Sequence, residues 1–200
     1  MENQNYVFSH ATGELRDKAI KLHFERYREV GFFKRDEVDP YEKESTYFVA
    51  QTKENSNVVG VIRLIRKELN ELPTLQHFEI FDIERLKLSK LDRSQYAEIS
   101  AFAKIPQHDV GLGLIRAAFR YSEHFGITHW VCCVDERVHK YLTRVFHFPF
   151  KVIGVPKTYL GSVSIPCYLY FPELHESVKQ YRPSLYQFMT SESNYKEMVK

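Results

Sequence analysis

The chain is short of several things, and each shortage excludes something. One tryptophan and three methionines accompany fifteen phenylalanines and thirteen tyrosines, so the aromatic content rests on Phe and Tyr, as suits a roomy apolar interior or pocket. Three cysteines, Cys132, Cys133 and Cys167, are an odd number with two adjacent, which argues against a disulfide framework. No Cys/His set has the spacing of zinc ligands. No apolar run approaches membrane-spanning length. The opening MENQNYVFSH lacks the basic and apolar blocks of a secretory signal, so a cytoplasmic protein is the expectation. An excess of one charge is missing too: a formal net charge of +2 gives no global reason to expect nucleic acid.

What is present is an ordinary globular composition. Two hundred residues, 44% hydrophobic and 27% charged, suit one domain, or a domain with a tail, with enough chain to bury a real core. Leu15, Ala19, Leu22 and Tyr27 fall near helical spacing, with Gly31 as the stop. KRDEVDPYEKES reads as a polar loop, and TYFVAQT and NVVGVIRLIRK as strands. Residues 68–95 are ambiguous, and IFDIERLKLS within them fits a short helix or a strand. Then follow strand YAEISAFAKI, a helix over 111–125, strand THWVCCV, helix DERVHKYLTRVF and two strands, FKVIGVPKTYL and IPCYLYF. A C-terminal helix is broken near Pro183. This order predicts an α/β (α+β) fold with one mixed sheet covered by helices on both faces.

Four features could carry chemistry. In QHDVGLG, Gly111 and Gly113 stand where a helix begins. They fit either a phosphate held by the helix N-terminus or a tight strand-to-helix turn. Arg63 lies in a strand apolar on both faces, on one face with Val59, Val61 and Ile65 and with Ile62 and Leu64 on the other, so its guanidinium needs a partner. Glu98 is the candidate, on one face with Ser100 and Phe102, with Ile99 and Ala101 on the other. EVDPYE gathers Glu37, Asp39 and Glu42 in a loop, where charges are usually solvated. The adjacent cysteines sit in an apolar strand without an identifiable base, as buried cysteines commonly do.

Three local patterns then resemble the GNAT acyltransferase superfamily, and within it the acyl-homoserine lactone (autoinducer) synthases and the long-chain N-acyl amino acid synthases. E37-V-D39-P-Y41-E42 is similar to their Glu-x-Asp-x-aromatic-Asp loop, with Glu in the last place. G60-V-I-R63-L matches a Gly-x-x-Arg-Leu strand, and E98-I-S100-A101-F102 is similar to a Glu-hydrophobic-Ser/Thr-Arg-Phe strand, with Ala101 in place of the arginine. The resemblance covers roughly residues 14 to 172. It implies a GNAT-like three-layer fold whose mostly antiparallel sheet splays between its fourth and fifth strands. It also implies an acyltransferase domain over 1–172, with 173–200 as its C-terminal extension or tail. Thr143 stands where many of these enzymes have a tyrosine, with Tyr141 two residues away. QHDVGLG is one residue longer than the common glycine turn, which suits an acyl carrier protein donor that brings a phosphopantetheine arm without an adenine nucleotide.

The implied reaction is attack of a free amine on an acyl thioester, with no covalent enzyme intermediate and no metal. Glu98 is expected as general base, or as the partner of Arg63, with Arg63 and Ser100 beside it at the reacting centre. Asp39, Glu42, Phe102 and Phe33 would bind the acceptor, Phe33 through the RYREVGFF helix and loop that covers substrate in the amino acid synthases. Ala103, Ile105, Gly111, Leu112 and Gly113 would hold the pantetheine arm of acyl carrier protein or coenzyme A, with a backbone N–H near Ser100 to Ile105 facing the oxyanion. WVCCV with Phe146, Phe148, Phe150 and Tyr168 would line an acyl slot, or be plain core. Arg116 and Arg120, with Arg137, Lys140 and Arg144, would meet an acidic carrier protein. Alternatives are a small-acyl acetyl-coenzyme-A N-acetyltransferase, or a catalytically silent acyl- or ligand-binding module on the same fold.

Overall fold

A computed structural model of the chain describes residues 5–34 and 38–191, so Glu37 of the acidic loop lies outside the described residues. The chain forms two compact units. The described residues of Met1–Ile65, Ser100–Tyr121 and Ser191–Lys200 make the first, and Arg66–Ile99 with Ser122–Thr190 make the second. Strand β4, Tyr96–Lys104, contributes residues to both.

The first unit starts with a strand the sequence did not announce, β1 (Tyr6–Ala11), antiparallel to β2 (Ser45–Thr52), which is antiparallel to β3 (Val58–Ile65). Tyr47 lies opposite Arg63 and Val49 opposite Val61. Period-two alternation therefore puts these four on one face. There Tyr47, Val49 and Val61 join Ala11 and Ala103 in a core closed by Ala19 and Leu22 of helix α1 (Gly13–Glu29). The other face is met by helix α4 (Gly111–His124). It comes close because Gly60 has no side chain: a Cβ there would lie 2.7 Å from Val110 and 3.0 Å from Leu114. Phe48 and Tyr121 add an edge-on aromatic pair on this face, with ring centroids 5.1 Å apart.

Within β4, Ala101 has φ +53°, a left-handed conformation that interrupts the pleat. Before it Tyr96, Ala97 and Glu98 are buried in succession, and only from it on does burial alternate. Ala101 and Ala103 are buried while Phe102, between them, is 45% exposed. Glu98, Ser100 and Phe102 therefore do not share one environment as simple alternation expects.

In the second unit, β5 (His129–Asp135) runs parallel to the start of β4, pairing Tyr96, Ala97 and Glu98 with His129, Trp130 and Val131. The ladder ends there, so the fourth and fifth strands are joined over a short stretch, as a sheet splayed at this point requires. On its other side β5 pairs antiparallel with β8 (Ser162–Tyr170) along its whole length. The short strands β6 (Lys151–Val152) and β7 (Lys157–Tyr159) also pair with β8.

The ambiguous stretch contains two helices, α2 (Pro73–His77) and α3 (Asp82–Leu88). Asp82 and Glu84 in the first turn of α3, with Arg85 and Lys87 in the last, complement the helix dipole. Asp135 caps α5 (Glu136–Val145), accepting from the N–H groups of Arg137 and Val138. Helices α6 (Phe171–Tyr181) and α7 (Pro183–Thr190) are split at Arg182, because the residue before a proline is driven out of helical geometry. Trp130 is buried against α6, edge-on to Phe171 at 5.1 Å between centroids, and its indole N–H donates to Ser122 Oγ at 2.9 Å. No helix among the described residues is long and apolar enough to cross a membrane.

Candidate active site

The first unit builds a polar cluster on the α1 face of its sheet. Arg63 is 5% exposed and Asp39 3% exposed, and they form an ion pair in which Arg63 Nη1 donates to Asp39 Oδ2. Nη1 also donates to Tyr47 Oη at 3.3 Å, and Nε to Ser100 Oγ at 3.0 Å. The buried arginine does have a carboxylate partner. It is Asp39, from the loop before β2, and not Glu98 as the sequence reading proposed. Burial works against the guanidinium charge, but Asp39 and Tyr47 more than offset it, so the Arg63 pKa is raised. Burial also pushes the Tyr47 hydroxyl up, against the influence of Arg63.

Asp39 is itself fixed, since its Oδ1 accepts from the Tyr41 N–H at 3.0 Å in an Asx-type turn. Glu42 faces Arg16, whose Nη1 lies 3.6 Å from Glu42 Oε1 and whose Nη2 donates to the Glu42 carbonyl at 2.7 Å. Arg16 also lies over the Tyr47 ring, 5.5 Å from its centroid. Phe33 belongs to an aromatic cluster with Phe24 and Tyr27 of α1, at centroid distances of 5.0 and 5.3 Å.

The second unit holds Glu98, 1% exposed. Its carboxylate accepts from the Thr74 N–H and the Thr74 hydroxyl, each at 2.9 Å. A carboxylate removed from water and aimed by two donors is a fixed hydrogen-bond acceptor. Cys133 neighbours it, its thiol pKa pushed up by burial first and by the Glu98 charge next. Cys132 is raised by its contact with Cys167, Sγ to Sγ 3.6 Å, and by burial. Both are thereby held as thiols, which disfavours a nucleophilic role.

The residues expected to hold the donor divide. Ala103 is buried in the α1 core, and the Ile105 N–H already donates to the Val59 carbonyl at 2.9 Å. That amide is spent in the sheet and is not free for a ligand. Gly111, half-buried Leu112 and Gly113 open α4 as expected. Neither glycine has the left-handed φ that a tight turn would demand. Gly113 has a packing reason, because a Cβ there would fall 2.1 Å from the Phe8 ring. At Gly111 a Cβ would meet Phe102 Cζ at 3.3 Å.

The basic residues expected to dock a carrier protein differ in exposure. Arg116 is buried, with Nη2 donating to the carbonyl and hydroxyl oxygens of Ser191 at 2.8 and 2.9 Å, so it is not presented to a partner. Arg120 is half-buried, whereas Arg137 and Arg144 are exposed on α5. Phe148 is buried among Phe146 and Phe150, as core.

Sequence reasoning passed over Tyr47, Arg16, His23 and Thr74. His23 carried a faint signal: it follows Ala19 by four residues, on the apolar face of α1. Thr74 carried none, because α2 lies in the stretch without periodicity.

The fold has known counterparts. The chain shares its architecture with FeeM, an N-acyl amino acid synthase from uncultured soil microbes, at TM-score 0.66 and 19% identity over 86% of this chain and 94% of that one. It also resembles BjaI, a CoA-dependent acyl-homoserine lactone synthase solved with SAM and isopentyl-CoA, at TM-score 0.60 and 18% identity, covering 98% and 89% of the two chains. A spermidine N-acetyltransferase from Vibrio cholerae in complex with CoA and spermine aligns at TM-score 0.54 and 14% identity, covering 86% and 99%. The architecture is thus the GNAT one. Residues 18–171 match the family model of the N-acyl amino acid synthase FeeM, and the chain belongs to that family of acyltransferases. No curated protein sequence matches it significantly.

Proposed function

We propose that the protein transfers a medium or long acyl group from an acyl carrier protein or coenzyme A thioester to the amino group of an amino acid or similar small amine. The observation that carries this reading is the buried Asp39–Arg63 pair with Ser100 and Tyr47. The guanidinium uses Nε and Nη1 for these contacts, and we assign Nη2 to the carboxylate of an amino acid acceptor. Asp39 is the counter-charge for the acceptor's ammonium end. Glu98, aimed by Thr74, takes the proton from the attacking amine, directly or through a water. The amine nitrogen then bonds to the thioester carbon to give a tetrahedral oxyanion, which collapses with cleavage of the C–S bond; the thiolate leaves and takes up the proton that Glu98 or its water received.

The helix opened by Gly111, Leu112 and Gly113 is the proposed seat of the phosphopantetheine phosphate. Arg137 and Arg144 are the proposed contacts for an acidic carrier protein. Residues 1–172 would serve as the acyltransferase domain, 173–200 as its C-terminal extension, and the cytoplasm as the place of work, where such thioesters are made.

The test is to incubate the protein with medium- and long-chain acyl carrier protein and coenzyme A thioesters and a pool of amino acids, and to search for products by mass spectrometry. Amine-dependent thioester consumption with N-acyl amino acids as products is expected. Consumption that is equal with and without amine overturns the proposal. Turnover of acetyl-coenzyme A alone would favour a small-acyl acetyltransferase, and silence across the whole screen a binding module.

A further inference from the structure

His23 of α1 is 0% exposed and has no role in the reading above. Aromatic rings surround it. Tyr27 stands edge-on at 4.3 Å between centroids, Phe33 at 5.5 Å, Phe24 at 5.7 Å and Tyr47 at 6.4 Å. A phenylalanine would suit such a box without leaving polar atoms unpaired, because each buried nitrogen that lacks a partner weakens the fold. Neither ring nitrogen of His23 has a hydrogen-bond partner among the described residues. Its polar neighbour is the ion pair of the proposed acceptor site: Nδ1 lies 4.0 Å from Asp39 Oδ2, the oxygen that engages Arg63.

That distance exceeds a hydrogen bond, and a small rotation of the ring closes it. Burial, and then the nearby Arg63 charge, hold the ring pKa down at about 3, with Asp39 opposing. At neutral pH the imidazole therefore carries a single N–H, and a facing carboxylate selects the tautomer that bears it on Nδ1. A neutral donor can orient Asp39 without competing with Arg63 for its charge, which a lysine or arginine at the same place would do.

We infer that His23 is a positioning residue: its Nδ1–H turns toward Asp39 and holds the carboxylate in the orientation that engages Arg63, setting how tightly an amino acid acceptor binds. The part that concerns the acceptor rests on the acyltransferase reading. The part that concerns Asp39 does not.

The experiment has two arms. In protein labelled with nitrogen-15 histidine, the His23 signals are identified as those lost in His23→Asn, and the tautomer is read by NMR. Wild type should carry the proton on Nδ1, and Asp39→Asn should shift it toward Nε2. An Nε2–H tautomer in the wild type overturns the inference, whatever the activity and however the Asp39 variant folds.

The second arm is steady-state kinetics with whichever acceptor is accepted. His23→Phe should raise the acceptor KM by about tenfold, the loss of roughly one hydrogen bond, with kcat and the thioester KM little changed. His23→Asn, which keeps an N–H near the Nδ1 position, should recover most of this, and His23→Gln should not. An unchanged acceptor KM in His23→Phe also overturns the inference. If the wild type accepts no amine at all, the acyltransferase reading fails, and the tautomer alone decides the orientation of Asp39.

Discussion

Arg63 and Asp39 face one another as a buried ion pair, one from the middle of the sheet and the other from a loop that its charges would place in water. Removing one member leaves the other charged and unpaired in a desolvated place. Asp39→Ala is therefore expected to lose about 3 kcal/mol or more of stability, while a joint Arg63→Met, Asp39→Leu change recovers much of it. Urea unfolding of the wild type and of both variants measures this. Acyl transfer should be lost in both variants, so that stability and activity separate in the double one.

Glu98 and Thr74 make the second prediction. Glu98→Gln keeps the shape and removes the base, and kcat should fall about a hundredfold or more with the fold retained. Thr74→Val removes the hydroxyl donor and leaves the N–H, so the fall should be smaller, about tenfold. A Glu98→Gln enzyme as fast as wild type would remove Glu98 from the mechanism.

Gly113→Ala puts a methyl group into the Phe8 ring, an overpacking expected to cost about 1–3 kcal/mol. In a Phe8→Ala background the same change should be nearly neutral. Thermal unfolding of the four proteins gives the coupling. Equal effects in both backgrounds would mean that Gly113 is retained for another reason, such as the approach of a ligand.

Acid stability supplies the fourth prediction. The His23 pKa is lowered from 6.5 to about 3 by burial, then by Arg63, against Asp39. The unfolded chain takes up a proton that the folded chain refuses, so this histidine destabilises the fold as the pH falls from 6.5 toward 3. Between pH 6.5 and 5 the loss is on the order of 2 kcal/mol. His23→Phe should flatten the pH dependence of unfolding in that window by a similar amount, leaving the smaller effects of other shifted histidines such as His10 and His129.

Much of the fold was legible because the signals are local. The burial of Arg63 followed from a strand apolar on both faces, and α1, α4 and α5 from periodicity and capping. The site was legible in its residue types and less so in its pairings. Asp39 as the partner of Arg63 was hidden because an acidic loop residue is by habit solvated, and nothing in its neighbours marks it for burial. Alanine has no preference for left-handed backbone, so Ala101 gave no warning that β4 changes phase there. The reason for Gly113 lies in Phe8, more than a hundred residues away, where no local pattern can show it. β1 went unnoticed for want of clean alternation, and Thr74 for want of any helical period around it.

The lone tryptophan has a practical consequence. Trp130 is packed against Phe171 and tied to Ser122, all within the second unit. Indole fluorescence will therefore follow the melting of that unit alone and stay blind to the Asp39–Arg63 neighbourhood. Tyrosine emission or a label placed in the first unit is needed to see the other half, and a mismatch between the two transitions would show that the halves come apart separately.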